Sequence, residues 1–331
     1  RCRKNDQPLT CAPTLFPAEQ DRVYLNAGDG SYREVTQECG VVQTEGKGLA
    51  IAAGDFDQSG RLSVFVGNDT TPNFFLRNRT ASDKQLRFEE AGIVSGLAVD
   101  GLGRSQATMG VACGDVDGTG SVDLFITNFY EDANTLYLQH AATTFVDSSR
   151  DAGLYEPSVP MLGFGTEFVD ADLDGHLDLF VTNGHVDRTV ATGEPDEMPP
   201  QFFRNFGRGR FALQDGPVPG DYFKKKYLGR TVSRLDWNRD GLDDLCVLHL
   251  YTPVALLTNT TDAHGRFLTV RLRGTTVDRD AFGTTLQFTT EDQTFTHQLT
   301  VGDGYMTCNE RRLTAGLGNA SLVKQLSVRW P

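Results

Sequence analysis

Four loops of nine residues supply the densest set of potential metal ligands in this sequence. Each follows the pattern Asp-x-[Asp/Asn]-x-[Asp/Ser/Thr]-Gly-x-x-[Asp/Ser], and the four begin at Asp55, Asp115, Asp170 and Asp236. Ca²⁺ takes about six to eight oxygen ligands in flexible geometry, and a tightly turning loop can supply them from alternate residues. The pattern therefore predicts calcium-binding loops, with side-chain ligands at positions 1, 3, 5 and 9 and a backbone carbonyl at position 7.

The predicted ligand sets differ in their number of carboxylates. They are Asp55, Asp57, Ser59, Arg61 and Ser63 in the first loop; Asp115, Asp117, Thr119, Ser121 and Asp123 in the second; Asp170, Asp172, Asp174, His176 and Asp178 in the third; and Asp236, Asn238, Asp240, Leu242 and Asp244 in the fourth. Affinity for Ca²⁺ rises with carboxylate number and loop rigidity. We therefore expect up to four Ca²⁺ ions, with the third loop the strongest site and the first the weakest.

Position 6 of each loop is glycine, and position 12 is apolar. A sharp turn at position 6 suits glycine, which enters positive φ without steric cost. An EF-hand shares the opening spacing but places a bidentate Glu at position 12, between two helices. Here position 12 is Val66, Ile126, Val181 and Val247, so the EF-hand interpretation fails. Acidic residues also occur in ordinary hairpin turns, but four copies in register favour metal loops.

The loops recur within a larger repeated unit. Subtracting their starting positions gives spacings of 60, 55 and 66 residues. An apolar run of strand length follows each loop, and a further strand is predicted at 73–78, 135–139, 201–205 and 254–259. In the first three units a fourth strand is predicted at 86–89, 144–147 and 210–213. Four short strands per period are typical of a β-propeller blade, so we predict an all-β fold built from a calcium-binding propeller.

These residues resemble the FG-GAP/VCBS-type calcium-binding propeller repeats of integrin α-subunits. They are more closely similar to the cartilage acidic protein-like family, whose secreted members join such repeats to a C-terminal ASPIC/UnbV domain. The stretch 22–35 resembles an outer hairpin of these repeats. The C-terminal similarity lies at 267–274, 279–283, 302–305, 309–313, 316–318 and 328–331. The middle units, including 183–185, are similar to bacterial and especially planctomycete-like members.

The resemblance implies three regions: an N-terminal loop segment at 1–21, the propeller at 22–263 and a small ASPIC/UnbV-like β domain at 264–331. The family's propellers close with more blades than the three full units, one incomplete unit and one hairpin counted here. Two explanations remain open. Further blades precede Arg1 in a longer precursor, or irregular segments at 2–20 and 188–200 contribute strands.

Composition favours an extracytoplasmic β-protein. The formal net charge of −13 argues against nucleic acid binding, because phosphates need clustered Lys and Arg, and much of the acidity lies in the loops. No apolar run reaches the length of a membrane span. Cys2 and Cys11 lie in a loop-like segment and are the best candidates among the six cysteines for a disulfide. We therefore expect a secreted, periplasmic or cell-surface protein.

A search for catalytic motifs returns little: the sequence has no Gly-x-Ser-x-Gly elbow, no His-Glu-x-x-His and no phosphate-binding glycine loop. We therefore predict no catalytic residues. The leading hypothesis, which rests on the resemblance, is a non-enzymatic interaction or adhesion module for a protein or glycan ligand, with Ca²⁺ rigidifying the loops. The alternatives are a scaffold or subunit of an extracellular enzyme acting on polysaccharide or phosphate esters, and a purely structural domain beside an upstream domain of the same precursor.

Overall fold

Strands account for most of the regular structure. The computed structural model describes residues 2–4, 7–81, 85–187, 195–214, 220–262 and 265–331. Within these ranges the helices are α1 (Gly92–Ser95), α2 (Tyr155–Ser158) and two 3₁₀ turns at Pro13–Leu15 and Asp221–Lys224. No helix in the described ranges has the length and apolar character needed to cross a bilayer. The predicted all-β class is confirmed at this level.

Two hairpins begin the chain. Strand β1 (Cys2–Lys4) pairs with β2 (Gln7–Leu9), and β3 (Tyr24–Asn26) pairs with β4 (Tyr32–Glu34). A disulfide joins Cys2 to Cys11, as the sequence predicted. The second hairpin packs beside the next sheet through Val35, which shares an apolar cluster with Val66.

Four antiparallel sheets follow, and their strands pair in chain order. The first sheet contains β5 (Gly48–Gly54), β6 (Ser63–Asn68), β7 (Phe74–Asn78) and β8 (Phe88–Glu90). The second contains β9 (Val111–Gly114), β10 (Asp123–Ile126), β11 (Thr135–Ala141) and β12 (Thr144–Asp147). The third contains β13 (Gly163–Val169), β14 (Asp178–Asn183), β15 (Gln201–Asn205) and β16 (Phe211–Leu213). The fourth contains β17 (Gly229–Leu235), β18 (Asp244–His249) and β19 (Ala255–Leu257). Each aspartate loop joins the first and second strands of its sheet.

The sheets stand side by side. Strand β9 contacts both β5 and β13, and β13 also contacts β17, so the first strands of the four sheets are neighbours. Apolar side chains fill the wedge between the first and second sheets and the wedge between the second and third. Between the first and second sheets, the Phe75 ring packs edge-on against Phe56 and Phe145, with centroids 5.9 and 6.1 Å apart. These contacts carry the hydrophobic stabilisation of the array.

A repeated hydrogen bond also links each sheet to the one before it. A side-chain amide from within the third strand, from its last residue or from just beyond it donates to the carbonyl of position 2 in the preceding loop. The pairs are Gln139 with Phe56 at 2.6 Å, Asn205 with Val116 at 2.9 Å and Asn259 with Ala171 at 2.8 Å. The backbone of each of the first three loops is thus held by the next sheet along the chain.

The C-terminal region forms its own small core. Its strands are β20 (Arg266–Val270), β21 (Thr285–Thr289), β22 (Thr294–Gln298), β23 (Leu313–Gly318) and β24 (Gln325–Arg329). Strand β20 pairs with β23, and β21 lies between β22 and β24. Leu286, Phe288 and Ala315 are fully buried in its apolar cluster. The predicted boundary between residues 263 and 264 lies outside the described residues, and of the segment 188–200 only 195–200 is described.

The segment between β22 and β23 crosses the first strands of all four sheets. Val301 forms a bridge with Ala53 of β5, and Gly304 with Val111 of β9. Asn309 then donates its side-chain amide to Glu167 of β13 at 2.8 Å and accepts the backbone N–H of Arg234 of β17 at 2.8 Å. The C-terminal region is therefore joined to the first strand of each sheet.

Glu167 of β13 is a buried acid beside this segment. Its side chain is 1% exposed, Oε2 accepts the bond from Asn309, and Oε1 has no hydrogen-bond partner among the described residues. Burial, followed by the nearby carboxylate of Asp303, raises the pKa of Glu167 well above its usual value, while the positive charge of Arg234 opposes the rise. The folded state therefore favours the protonated carboxyl.

This pKa shift predicts a pH-dependent stability. A carboxyl whose pKa is raised by folding stabilises the fold at low pH, and that contribution is lost as pH rises through the folded pKa. We expect the free energy of unfolding to fall from about pH 5 to pH 8, and to fall less in Glu167→Gln, which keeps an acceptor for Asn309. Urea denaturation across this range measures it. The exposed Glu291→Gln should follow the wild type, and parallel profiles for Glu167→Gln and the wild type would contradict the assignment.

Candidate metal centres

The first aspartate of every loop is held in the same way. Its Oδ2 atom accepts the backbone N–H of the glycine at position 6. The pairs are Asp55 with Gly60 at 3.0 Å, Asp115 with Gly120 at 2.8 Å, Asp170 with Gly175 at 2.9 Å and Asp236 with Gly241 at 3.1 Å. These glycines have φ between 76° and 93°, a conformation that other residues rarely adopt. These hydrogen bonds fold the backbone of each loop around its first carboxylate.

The second loop gathers three carboxylates. Asp115, Asp117 and Asp123 each place an oxygen within 4.8 Å of the others. Asp123 is fully buried, and its two oxygens accept backbone N–H groups from Gln139 at 2.8 Å and Val116 at 2.9 Å. Burial raises the pKa of Asp115 to about 7, with Asp117 adding to the rise. Three converging acids of this kind need a cation to become ionised together.

The third loop gathers Asp170, Asp172 and Asp174 within the same distance of 4.8 Å. Burial, followed by the charge of Asp174, raises the pKa of Asp170 well above its usual value. One oxygen of Asp172, Oδ1, is buried without a hydrogen-bond partner. An orphaned oxygen beside two further carboxylates suits a hard cation such as Ca²⁺. The described residues therefore fit the ion in the second and third loops.

Asp178, at position 9 of the third loop, has a second role. Its carboxylate accepts the backbone N–H of Asn205 at 2.8 Å and of Ala171 at 3.4 Å, and burial raises its pKa to about 7. It joins the loop to the third strand of the same sheet. Asp244 does the same in the fourth loop, accepting from Asn259 at 2.8 Å and Trp237 at 3.0 Å.

Arginines occupy the first loop. Arg329 of β24 contacts Asp55 at 2.7 Å, and Arg77 of β7 contacts Asp57 at 2.8 Å. Both carboxylate side chains are 1% exposed, and the loop has no other acid. A guanidinium already supplies the charge that an ion would bring to each. Oδ1 of Asp55 is buried without a hydrogen-bond partner among the described residues, but this loop has only two carboxylates and each is paired with an arginine, so it fits Ca²⁺ less well than the second and third loops.

The fourth loop is intermediate. Arg312 contacts Asp236 at 2.6 Å and Asp243 at 2.7 Å, and only 6% of its side chain is exposed. Asn238 donates to Asp240 at 2.7 Å, so two predicted ligands satisfy each other. In the third loop, by contrast, the arginine lies at the rim: Arg204 contacts Asp172 at 2.5 Å and is 44% exposed.

The position 7 residues and the short polar side chains complete the predicted set. The backbone N–H of His176 donates to Asp174 at 2.8 Å and that of Leu242 to Asp240 at 2.9 Å, which tightens the third and fourth loops. Ser59 has a buried hydroxyl without a partner among the described residues. The remaining members lie at the expected loop positions: Arg61, Ser63, Thr119 and Ser121.

The C-terminal region lies over all four loops. Gln298 accepts the backbone N–H of Asp55 at 2.7 Å, Gly318 donates to the carbonyl of Leu173 at 2.9 Å, and Glu310 accepts from Asp236 at 3.2 Å. At the second loop, the Thr296 hydroxyl lies 3.5 Å from where a Cβ on Gly120 would stand. The C-terminal region therefore contacts all four loops, while some predicted ligands stay exposed, namely Arg61, Thr119, Asn238 and Asp240.

Sequence reasoning did not assign roles to the arginines. Arg77 and Arg204 each precede the asparagine that ends a third strand, so their matching positions were a usable signal. Arg312 and Arg329 lie within the C-terminal stretches already matched to the ASPIC/UnbV domain. Their partners are more than 60 residues away in the chain, and spacing alone does not reveal such pairs.

The difference between the loops predicts the result of a calcium titration. We expect Asp170→Asn to remove one binding event in isothermal titration calorimetry, because it deletes a carboxylate from a converging cluster. Asp55→Asn should leave the number of binding events unchanged, because Arg329 already neutralises that residue. A larger loss of binding in Asp55→Asn than in Asp170→Asn would contradict the ranking.

Two parts of the chain match known family models. Residues 115–181 match the FG-GAP-like repeat, and residues 274–331 match ASPIC and UnbV. The first match contains the second and third loops, where the carboxylates converge. The second contains Arg312 and Arg329. Both matches confirm the resemblance seen in the sequence, whereas the bacterial origin stays a prediction.

The chain is also similar to cartilage acidic protein 1. The human protein is 25% identical over 330 residues, which cover 96% of this chain and 46% of the relative. The Xenopus tropicalis protein is 26% identical over 171 residues, or 49% of this chain and 25% of the relative. The chain thus spans less than half the length of these relatives. It combines an FG-GAP-like repeat with an ASPIC/UnbV region and shows weak similarity to cartilage acidic protein 1.

Proposed function

We propose that this protein is a secreted or cell-surface, non-enzymatic interaction module. Its four sheets are blades of a calcium-binding β-propeller at 22–263, and its ASPIC/UnbV-like domain at 264–331 is fastened over the loops. Ca²⁺ binds the second and third loops, while arginines hold the first and fourth. The ion therefore acts within the module, fixing its two parts in one arrangement, and partners bind elsewhere on the surface.

The position of the C-terminal region over the loops carries this proposal. Gly318 donates to Leu173 at 2.9 Å and Gly265 donates to Asp172 at 2.7 Å, so backbone of the third loop is bonded directly to the C-terminal region. Arg204 at the rim offsets only part of the negative charge of that loop, so its carboxylates would still repel one another, and ligand binding to a folded site stabilises the fold that contains it. Ca²⁺ would therefore strengthen the attachment.

The arrangement of strands supports the propeller. Blades of four antiparallel strands set around an axis place their first strands at the centre. The four first strands here are neighbours, and the segment 299–312 reaches each of them. We infer that this segment lies along the axis. The disulfide between Cys2 and Cys11 supports an oxidising compartment, because disulfides persist there and are rare in the cytosol.

Calcium removal tests the attachment of the C-terminal region. We expect a chelator to increase hydrogen exchange at the amides of Gly265 and Gly318, because the carbonyls that accept them belong to the third loop. Asp170→Asn should show the same increase with Ca²⁺ present. Asp55→Asn is the matched control and should still respond to the ion. Exchange by mass spectrometry that is unchanged on calcium removal would contradict the proposed role of Ca²⁺.

A substrate panel tests the non-enzymatic assignment. We expect calcium-loaded protein to give no turnover of polysaccharides or phosphate esters above buffer, because the convergent carboxylates are committed to the loops. Turnover that is abolished by a point substitution outside the four loops would establish an enzyme. A preparation of that variant with unchanged thermal unfolding is the control against loss of folding.

A further inference from the structure

The fourth strands of the first three sheets share one packing feature. Each places an aromatic side chain opposite the polar residue at the end of the third strand or within it. The pairs are Phe88 with Asn78, Phe145 with Gln139 and Phe211 with Asn205. Phe145 and Phe211 are 3% and 6% exposed and belong to the apolar clusters that join neighbouring sheets. A fourth-strand aromatic therefore fills the wedge between its own sheet and the preceding one.

The fourth sheet lacks this strand within the described residues. Strand β19 pairs with β18 and with no strand on its other side. The chain repeats the sequence pattern, because Arg266 and Phe267 follow Asn259 much as Arg210 and Phe211 follow Asn205. That segment has joined the C-terminal region instead: β20 pairs with β23. Phe267 is 40% exposed and its ring lies against Gly241 of the fourth loop.

A cavity of about 530 Å³ lies between the third and fourth sheets, where that aromatic would have packed. Between the first and second sheets, Phe56, Tyr137 and Phe145 fill the corresponding wedge. At the cavity the residue matching Phe56 is Ala171 and the one matching Tyr137 is Leu257, while Phe145 has no counterpart. The cavity therefore exists because small side chains replace large ones and one strand is missing.

The lining suits one kind of ligand. Phe202, Leu245 and Leu257 form apolar walls, while Thr258, Thr261 and Asp262 supply polar groups on the β19 side. The volume lies within the range of about 300 to 1,000 Å³ that is usual for ligand sites. An extended segment can add to an open strand edge through main-chain hydrogen bonds, with alternate side chains entering pockets.

We propose that the cavity binds an extended peptide segment of a partner protein. The peptide adds as a fourth strand beside β19 and places an aromatic side chain in the cavity, at the register of Asn259. The first and third sheets supply the template, since an arginine precedes the aromatic in both, at Arg87 and Arg210. The exposed carboxylate of Asp262 favours the same basic residue in the guest. This inference rests on the proposed interaction module and names a partner class for it. Asp172 and Asp178 of the third loop also line the cavity, so the peptide is tested with Ca²⁺ present.

A peptide copied from this chain tests the proposal. The probe is a fluorescent peptide with the sequence of residues 209–214, Gly-Arg-Phe-Ala-Leu-Gln, titrated with the full chain in the presence of Ca²⁺. We expect saturable binding in fluorescence anisotropy. The same peptide carrying Phe211→Ala should bind about tenfold more weakly or worse, because one buried aromatic contributes at least that factor. Hydrogen exchange at 255–259 should slow when the wild-type peptide binds.

Filled variants of the protein provide the second arm. Ala171→Phe places in the third loop the residue that the first loop has at Phe56, and Leu257→Trp fills the cavity from β19. Both should weaken peptide binding at least about tenfold. Ala141→Phe, at an exposed end of β11, should bind as the wild type does. Absence of saturable binding, or equal binding by both filled variants with unchanged thermal unfolding, would overturn the proposal. The Leu257→Trp variant separates the two proposals, because Leu257 lies outside the four loops and calcium-dependent exchange at Gly318 should match the wild type. Ala171 lies between two predicted ligands of the third loop, so calcium binding is measured in Ala171→Phe as well.

Discussion

The first aspartate is buried in the first, third and fourth loops and half-buried in the second, so water screens its charge poorly. A buried charge is tolerated when it is paired and hydrogen-bonded. The loop glycine supplies one hydrogen bond in every copy, and the remaining charge must be met in another way. Arg329 and Arg312 meet it in the first and fourth loops. The second and third loops have converging carboxylates instead, and there we propose a cation.

This division gives the four loops one structural purpose. In the first and fourth loops, a guanidinium from the C-terminal region is the counter-charge. The same contact therefore neutralises the carboxylate and attaches the region. In the second and third loops, the proposed ion stiffens loops that the C-terminal region contacts. The segment 299–312 adds contacts to the first strand of each sheet, including the hydrogen bond from Asn309 to the buried Glu167. The C-terminal region is thus attached both at the loops and at the first strands of the sheets.

Among the described residues the fourth sheet has three strands, and the same C-terminal region explains why. Strand β20 has the sequence pattern of a fourth strand but pairs with β23. A strand can satisfy its backbone groups on one of two sheets, and the C-terminal core, with Leu286 and Phe288 fully buried, offers a complete set of partners. The consequence is an open edge at β19 and a cavity beside Phe202. The proposed peptide site follows from that diversion.

Much of this protein could be read from its sequence, because local patterns encode local structure. The Asp-x-Asp spacing and the glycine at position 6 specified the loops, the apolar runs after Ser63, Asp123, Asp178 and Asp244 specified strands, and the period specified repeated sheets. Cys2 and Cys11 lie nine residues apart, so the sequence alone could predict their disulfide. Only the tertiary structure decided which loops have arginine as their counter-charge, because Arg329 reaches Asp55 from the other end of the chain. It also decided that Phe267 leaves the fourth sheet, since the competition between two sheets depends on contacts that no local pattern contains.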